Sequence, residues 1–161
     1  MEKLNSQTFE MGDMVLYFDQ GKSILLCKLA EKNKNLWAKK LKGINYINDI
    51  IDDPEKYYIN CESDEKSGQY FAINKKDGNT IWYIPGRAFL HLLYSNFLYI
   101  IFIDENDEYY LIKVDRDDGR KIWHHKVNID LDEYSFAGDR IQLTYSSGKK
   151  EIISLITGTN I

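Results

Sequence analysis

The chain has 161 residues and a formal net charge of -4, long enough for one well-cored domain and short for two. Hydrophobic residues make up 43% and charged residues 29%, a balance that excludes an intrinsically disordered chain. The acidic surplus gives little electrostatic drive toward nucleic acid, and twelve tyrosines against two prolines favour pleated strands.

The opening stretch, MEKLNSQTFEMGD, holds no apolar core of signal-peptide length, so a cytoplasmic protein is expected. The longest apolar run, Phe97 to Ile103, ends at Asp104, where a membrane span needs about 20 residues, so no membrane partner is expected. Cys27 and Cys61 are too few for a secreted disulfide framework and read as small buried apolar residues.

Alternating apolar stretches bounded by turn formers predict strands throughout. A first group lies at Met14–Phe18, Ser23–Lys28 and Asn35–Lys39, preceded by a spare segment, Leu4–Glu10. A second group lies at Ile44–Asp49, Tyr57–Cys61, Gln69–Asn74 and Thr80–Tyr83. A third lies at Ala88–Tyr94, Phe97–Asp104, Glu108–Val114 and Lys121–His125, and a fourth at Tyr134–Ala137, Arg140–Tyr145, Lys150–Leu155 and a stub at Thr159–Ile161. The spare segment is expected to complete the last group and close two open sheet edges.

These groups repeat. Trp37, Trp82 and Trp123 are 45 and 41 residues apart, and FAINKKDGNTIW ahead of Trp82 rhymes with IKVDRDDGRKIW ahead of Trp123. Glycine stands four residues before tryptophan in both, at Gly78 and Gly119. A last copy, IISLITGTNI, carries Gly158 and stops at Ile161, and a degraded first copy, CKLAEKNKNLW, has Asn33 in the glycine's place. Asparagine is the usual second choice where φ is positive. Four antiparallel strands recurring about every forty residues predict an all-β fold, a small β-propeller of about four short blades. The approximate blades are 1–42, 43–86, 87–128 and 129–161, all within a single domain, 1–161.

The repeat resembles the tryptophan-docking unit of the PQQ-like quinoprotein propellers. Ala72, Ile73, Asn74, Asp77, Gly78, Ile81 and Trp82 follow that pattern, with Asn74 in place of Asp. Lys113, Val114, Asp115, Asp118, Gly119, Ile122 and Trp123 follow it with Lys113 replacing a small residue, and Ile152, Ile153, Ser154, Thr157 and Gly158 carry a partial copy. The resemblance covers about a quarter of the chain. It implies that Trp37, Trp82 and Trp123 pack between neighbouring blades and that Gly78, Gly119 and Gly158 permit the preceding turn. Quinoprotein dehydrogenases have about eight blades, a calcium site and often adjacent cysteines. This chain has half that length and separated cysteines, so no cofactor is expected.

Motifs for chemistry are weak. Gly21-Lys22-Ser23 ends like a phosphate loop but lacks the earlier glycine and lies between strands. Asp115-Arg116-Asp117-Asp118-Gly119 places its glycine one position early for a calcium loop, with Lys126 at the twelfth position. His124 and His125 are adjacent on a strand and point to opposite faces, so they cannot both ligate one metal. His91 makes a third histidine on the blade and keeps a site conceivable, but exposed or capped edge histidines are the expectation, and no metal site is expected.

Charge is the remaining signal. In a propeller the loops between second and third strands share a face with the connections between blades. Those segments carry Glu62, Asp64 and Glu65, then Asp104, Glu105, Asp107 and Glu108, then Asp130, Asp132 and Glu133, against Lys66 and Lys126. Tyr70, Tyr109, Tyr110 and Tyr134 lie near them as candidate binding anchors. Such a rim suits a basic protein partner. The expected function is therefore non-catalytic protein binding. In style the chain resembles the immunity proteins of contact-dependent growth inhibition, which implies neutralising a basic bacterial toxin domain by covering its active cleft. A general interaction scaffold, and a lectin-like or enzymatic propeller using His91 or His124 in a central pocket, are the alternatives.

Overall fold

The computed structural model describes residues 5–161, and every regular element among them is a strand. The chain divides into two compact units, Met1–Arg87 and Ala88–Ile161.

The first unit holds two four-stranded antiparallel sheets. One runs β1 (Ser6–Met11), β2 (Met14–Asp19), β3 (Ile24–Leu29), β4 (Lys34–Lys40), in that spatial order. The other runs β5 (Tyr46–Asp52), β6 (Lys56–Glu62), β7 (Gly68–Asn74), β8 (Thr80–Pro85). Sequence alternation dictates which side each strand buries: Leu16, Phe18, Leu25 and Cys27 leave β2 and β3 on one face and are fully buried. They pack with Trp37, Ile50, Tyr57, Ile59 and Ile73 into one core. β6 and β7 are buried on both faces, which is why KYYINCE and GQYFAIN lack a clean alternation. The connection between the sheets adds to that core by burying Leu41 and Ile44 through a turn in which the Ile44 amide donates to the Leu41 carbonyl at 3.0 Å. The strand expected from Ile44 accordingly begins later, at Tyr46.

The second unit holds a four-stranded sheet, β9 (Arg87–Tyr94), β10 (Phe97–Ile103), β11 (Tyr109–Asp115), β12 (Lys121–Val127), whose first residue lies at the boundary of the units. Beside it stands a three-stranded sheet, β13 (Leu131–Ala137), β14 (Arg140–Tyr145), β15 (Lys150–Ser154). Tyr99, Ile101, Leu111 and Val127 pack against Ile141, Leu143, Tyr145 and Ile153.

The expected use of the spare N-terminal segment is overturned. Its described part forms β1, which pairs with β2 from Ser6↔Asp19 to Met11↔Met14 and completes the first sheet, not the last. The physical reason is local: Gly12 takes φ 61 and closes a two-residue hairpin, so the nearest strand captures the segment. Leu4 lies outside the described residues. The C-terminal stub contributes a single bridge, Ile153↔Asn160, with the Ile161 amide donating to the Ile152 carbonyl at 2.9 Å.

The repeat has one structural meaning in three sheets. Trp37 pairs with Cys27, Trp82 with Ala72 and Trp123 with Lys113, and each pair is followed by a register shift. The extra residue in each bulge is Leu36, Ile81 or Ile122, and these are 40%, 41% and 38% exposed. The apolar residue before each tryptophan is thus the bulged one, and the bulge aims the indole onto the buried face.

Candidate functional site

Two of the glycine–tryptophan relationships lie within single units. The Trp37 indole sits over Gly78, where a Cβ would approach Cε3 to 2.4 Å, and its Nε1 donates to the Lys75 carbonyl at 2.8 Å. The Trp123 indole sits over Gly158 with the same 2.4 Å approach, at Cδ2, and its Nε1 donates to the Leu155 carbonyl at 3.0 Å. Both accepting carbonyls lie three residues before the glycine. Trp82 is buried against Tyr58 and Tyr70 of its own sheet, and Gly119 takes φ 76. Asn33 takes φ 46, the left-handed conformation its place in the repeat requires. Lys113, which departs from the pattern's small residue, is buried; its Nζ lies 4.1 Å from the centre of the Phe97 ring and donates to the Leu155 carbonyl at 2.7 Å. Desolvation lowers its pKa below the ordinary lysine value.

The histidines do not converge. His91 is buried in β9, while His124 and His125 lie in β12, at the opposite edge of the same sheet. His124 faces the Tyr110 ring edge-on at 6.0 Å. His125 projects the other way, with Nδ1 3.0 Å from the Gly158 carbonyl and Nε2 3.1 Å from Glu151 Oε2. Lys149 and the Tyr145 hydroxyl also reach Glu151. Burial pushes the Glu151 carboxyl upward, but the bonds from Lys149 and His125 outweigh it and hold it below its ordinary value. No group of three or more His, Cys, Asp or Glu among the described residues is placed to hold a metal ion. Cys27 and Cys61 are free thiols in the first unit's core.

The ten acidic candidates fall in two places. Glu62, Asp64 and Glu65 belong to the first unit. Asp64 Oδ1 closes its turn by accepting the amides of Lys66 and Ser67, each at 2.8 Å, and these bonds lower its pKa. Glu62 lies 3.5 Å from Arg87 and accepts from Asn48.

The other seven lie in the second unit. In the turn between β10 and β11, Asp104 Oδ1 accepts the amides of Asn106 and Glu108 at 2.8 and 3.0 Å, and Asp107 takes φ 60. Glu108 is held by Lys126 and the Tyr110 hydroxyl, both at 2.9 Å, which lower its pKa. Glu105 and Asp107 are exposed. In the connection from β12 to β13, Asp130 binds Ser146 and Ser147. A register shift between Leu131 and Glu133 extrudes Asp132, leaving Asp132 and Glu133 exposed. The candidates thus divide chemically: Asp64, Asp104, Glu108 and Asp130 shape loops, Glu62 is held by Arg87 and Asn48, and Glu65, Glu105, Asp107, Asp132 and Glu133 present charge to solvent.

Among the aromatic anchors expected, Tyr70 is fully buried and stacked on Trp82, so it serves the sheet; sharing a face with the tryptophan outweighs its nearness to an acidic loop. Tyr134 is 39% exposed. Two large apolar residues that the sequence reading passed over are more exposed: Phe89 at 62% and Ile129 at 74%. Phe89 meets the Tyr109 ring edge-on at 5.9 Å, and Tyr109 directly follows the acidic turn. Ile129 stands one residue before Asp130. In the first unit an open groove of about 510 Å³ is lined by Met11, Met14, Leu36, Pro54, Lys75 and Lys76, among others.

No family model matches the chain, and no curated protein matches it in sequence. Solved structures do. BamB from Moraxella catarrhalis is similar with a TM-score of 0.65 and 13% identity, over 92% of this chain and 48% of that one. A europium-containing methanol dehydrogenase gives 0.67 and 11%, over 96% and 40%. The quinohemoprotein alcohol dehydrogenase of Comamonas testosteroni gives 0.64 and 9%, over 96% and 34%.

The fold is a β-propeller. Its neighbours are propellers built on PQQ-like repeats, as the glycine–tryptophan units implied. The chain spans half or less of the length of these structures, and at this identity the likeness concerns the fold alone.

Proposed function

We propose that this propeller is a non-catalytic, cytoplasmic protein-binding module, and specifically an immunity protein that neutralises a basic bacterial toxin domain by covering its active cleft. The observation that carries the reading is the surface of the second unit. There the exposed carboxylates of Glu105, Asp107, Asp132 and Glu133 stand on the two segments next to solvent-facing Phe89 and Ile129. Exposed apolar anchors flanked by one sign of charge suit a partner of the opposite sign: the charges steer encounter, and the anchors bury on docking. A basic nuclease cleft, built to hold phosphates, is such a partner. On the first unit, Glu65 presents charge to solvent in the same way, while Asp64 shapes its turn and Glu62 pairs with Arg87.

The test is co-purification and calorimetric titration with the product of the gene adjacent to this protein's own, assayed for toxin activity. A one-to-one complex that weakens steeply with salt and abolishes the toxin's activity is the expected result. An active toxin in the presence of excess protein overturns the reading. A general scaffold is the second reading, favoured by the separate groove at Met11, Met14 and Leu36, and it predicts several unrelated partners instead of one.

A further inference from the structure

We infer that Phe89 and Tyr109 form a seat for an arginine side chain of the partner, so that this surface selects guanidinium over ammonium; the inference rests on the protein-binding reading above. The geometry begins with the ring contact. Phe89 meets Tyr109 at an interplanar angle of 82°, a contact in which one ring's rim meets the other's face, and Phe89 is still 62% exposed on β9, so much of its ring surface stays open to solvent. An aromatic face attracts cations through its quadrupole.

This chain satisfies that attraction elsewhere with its own lysines. Lys113 stands over Phe97 at 4.1 Å, Lys75 over Tyr57 at 4.9 Å and Lys149 over Tyr145 at 5.7 Å. Among the described residues Phe89 receives no such cation, although it is far more exposed than Tyr57 or Tyr145. The local charge is also negative. Lys126, on the neighbouring strand β12, is engaged by Glu108, while Glu105 and Asp107 stay exposed on the turn that leads into Tyr109.

Arginine fits this combination better than lysine. A planar guanidinium stacks on a ring and still directs its edge donors at carboxylates, whereas an ammonium is compact and strongly hydrated. The aromatic pair therefore supplies the preference, and the acidic turn supplies charge attraction common to both side chains.

The experiment uses hexa-arginine and hexa-lysine peptides as probes, with binding read by NMR shifts of the Phe89 and Tyr109 rings. At matched ionic strength the arginine peptide is expected to bind about threefold tighter or more and to shift both rings. Phe89→Leu, an exposed substitution that keeps apolar area, should bring the two affinities together, with the larger loss falling on the arginine peptide. Glu105→Gln with Asp107→Asn should weaken both peptides alike and keep their ratio. Equal affinities in the wild type, or a preference that survives Phe89→Leu, overturns the seat. A toxin domain that binds the Phe89→Leu variant as tightly as the wild type also overturns the seat while sparing the immunity reading. Ring shifts with arginine preference but no toxin protection support the seat and sink the immunity reading.

Discussion

Trp123 lies across Gly158 so closely that a methyl group on the glycine would overlap the indole, and the same carbonyl, that of Leu155, accepts hydrogen bonds from both Trp123 Nε1 and Lys113 Nζ. One turn is thereby clamped to the sheet before it by a ring, an indole N–H and a buried ammonium.

Glycine substitutions should separate the two demands of that turn. Gly138 has φ 57 with nothing near its virtual Cβ, so Gly138→Ala meets only the backbone penalty, about 1 kcal/mol. Gly158 has φ 73 and the overlap with Trp123 as well, so Gly158→Ala should cost about 3 kcal/mol. Urea unfolding of both variants measures the difference. Equal losses would mean that the docking is loose.

Glu151 gives the second unit an acid-sensitive contact. Its carboxyl is held below the ordinary value of 4.5, so the unfolded chain binds the proton more readily. The stability it contributes is complete above about that value and disappears as the pH falls through the lower, folded one. Glu151→Gln should therefore be less stable than the wild type at pH 7, by about 1 kcal/mol, and equal to it in strong acid. A stability difference that is constant with pH contradicts this account.

The docks of Trp37 on Gly78 and of Trp123 on Gly158 join residues far apart in the chain and are seen only in the structure, whereas the repeat and its positive-φ turns were legible in the sequence, because each depends on residues close in the chain. Asn33 at positive φ is such a local requirement. The placement of β1 was not legible in the same way: strand patterning leaves the spare segment free to fill a distant open edge, and the Gly12 hairpin pairs it with β2 instead. The exposure of Phe89 was hidden for another reason. Between Arg87 and Tyr94 only His91 interrupts an apolar run, and which face is covered depends on neighbouring elements, not on alternation. Tyr70 shows the reverse, an acidic-loop neighbour that belongs wholly to the core. Likewise Asp104 and Glu105 look alike in sequence, and only the turn geometry separates the loop-shaping carboxylate from the one presented to solvent.

That separation predicts two classes of acidic variant. Glu105→Lys combined with Asp132→Lys should slow association with a basic partner about tenfold at low salt, with no change in unfolding midpoint. Asp104→Ala should instead destabilise the fold by about 1 kcal/mol through loss of its two amide bonds. Stopped-flow association and thermal melts on both variants test the division.

The two thiols should be silent in the native protein. Cys27 and Cys61 are fully buried, and desolvation raises both thiol pKa values, so reactive thiolate is scarce at neutral pH. A disulfide-exchange reagent should titrate neither cysteine until denaturant is added. Rapid labelling of either one in native buffer contradicts the packing described.

The most direct measurement of the central claim is hydrogen exchange of this protein alone and with the protein that co-purifies with it from the adjacent gene. Protection appearing at residues 104–109 and 128–134, together with slowed exchange around Phe89, is the predicted result. A bound partner that leaves those segments unchanged, and protects the groove at Met11 and Leu36 instead, would contradict it.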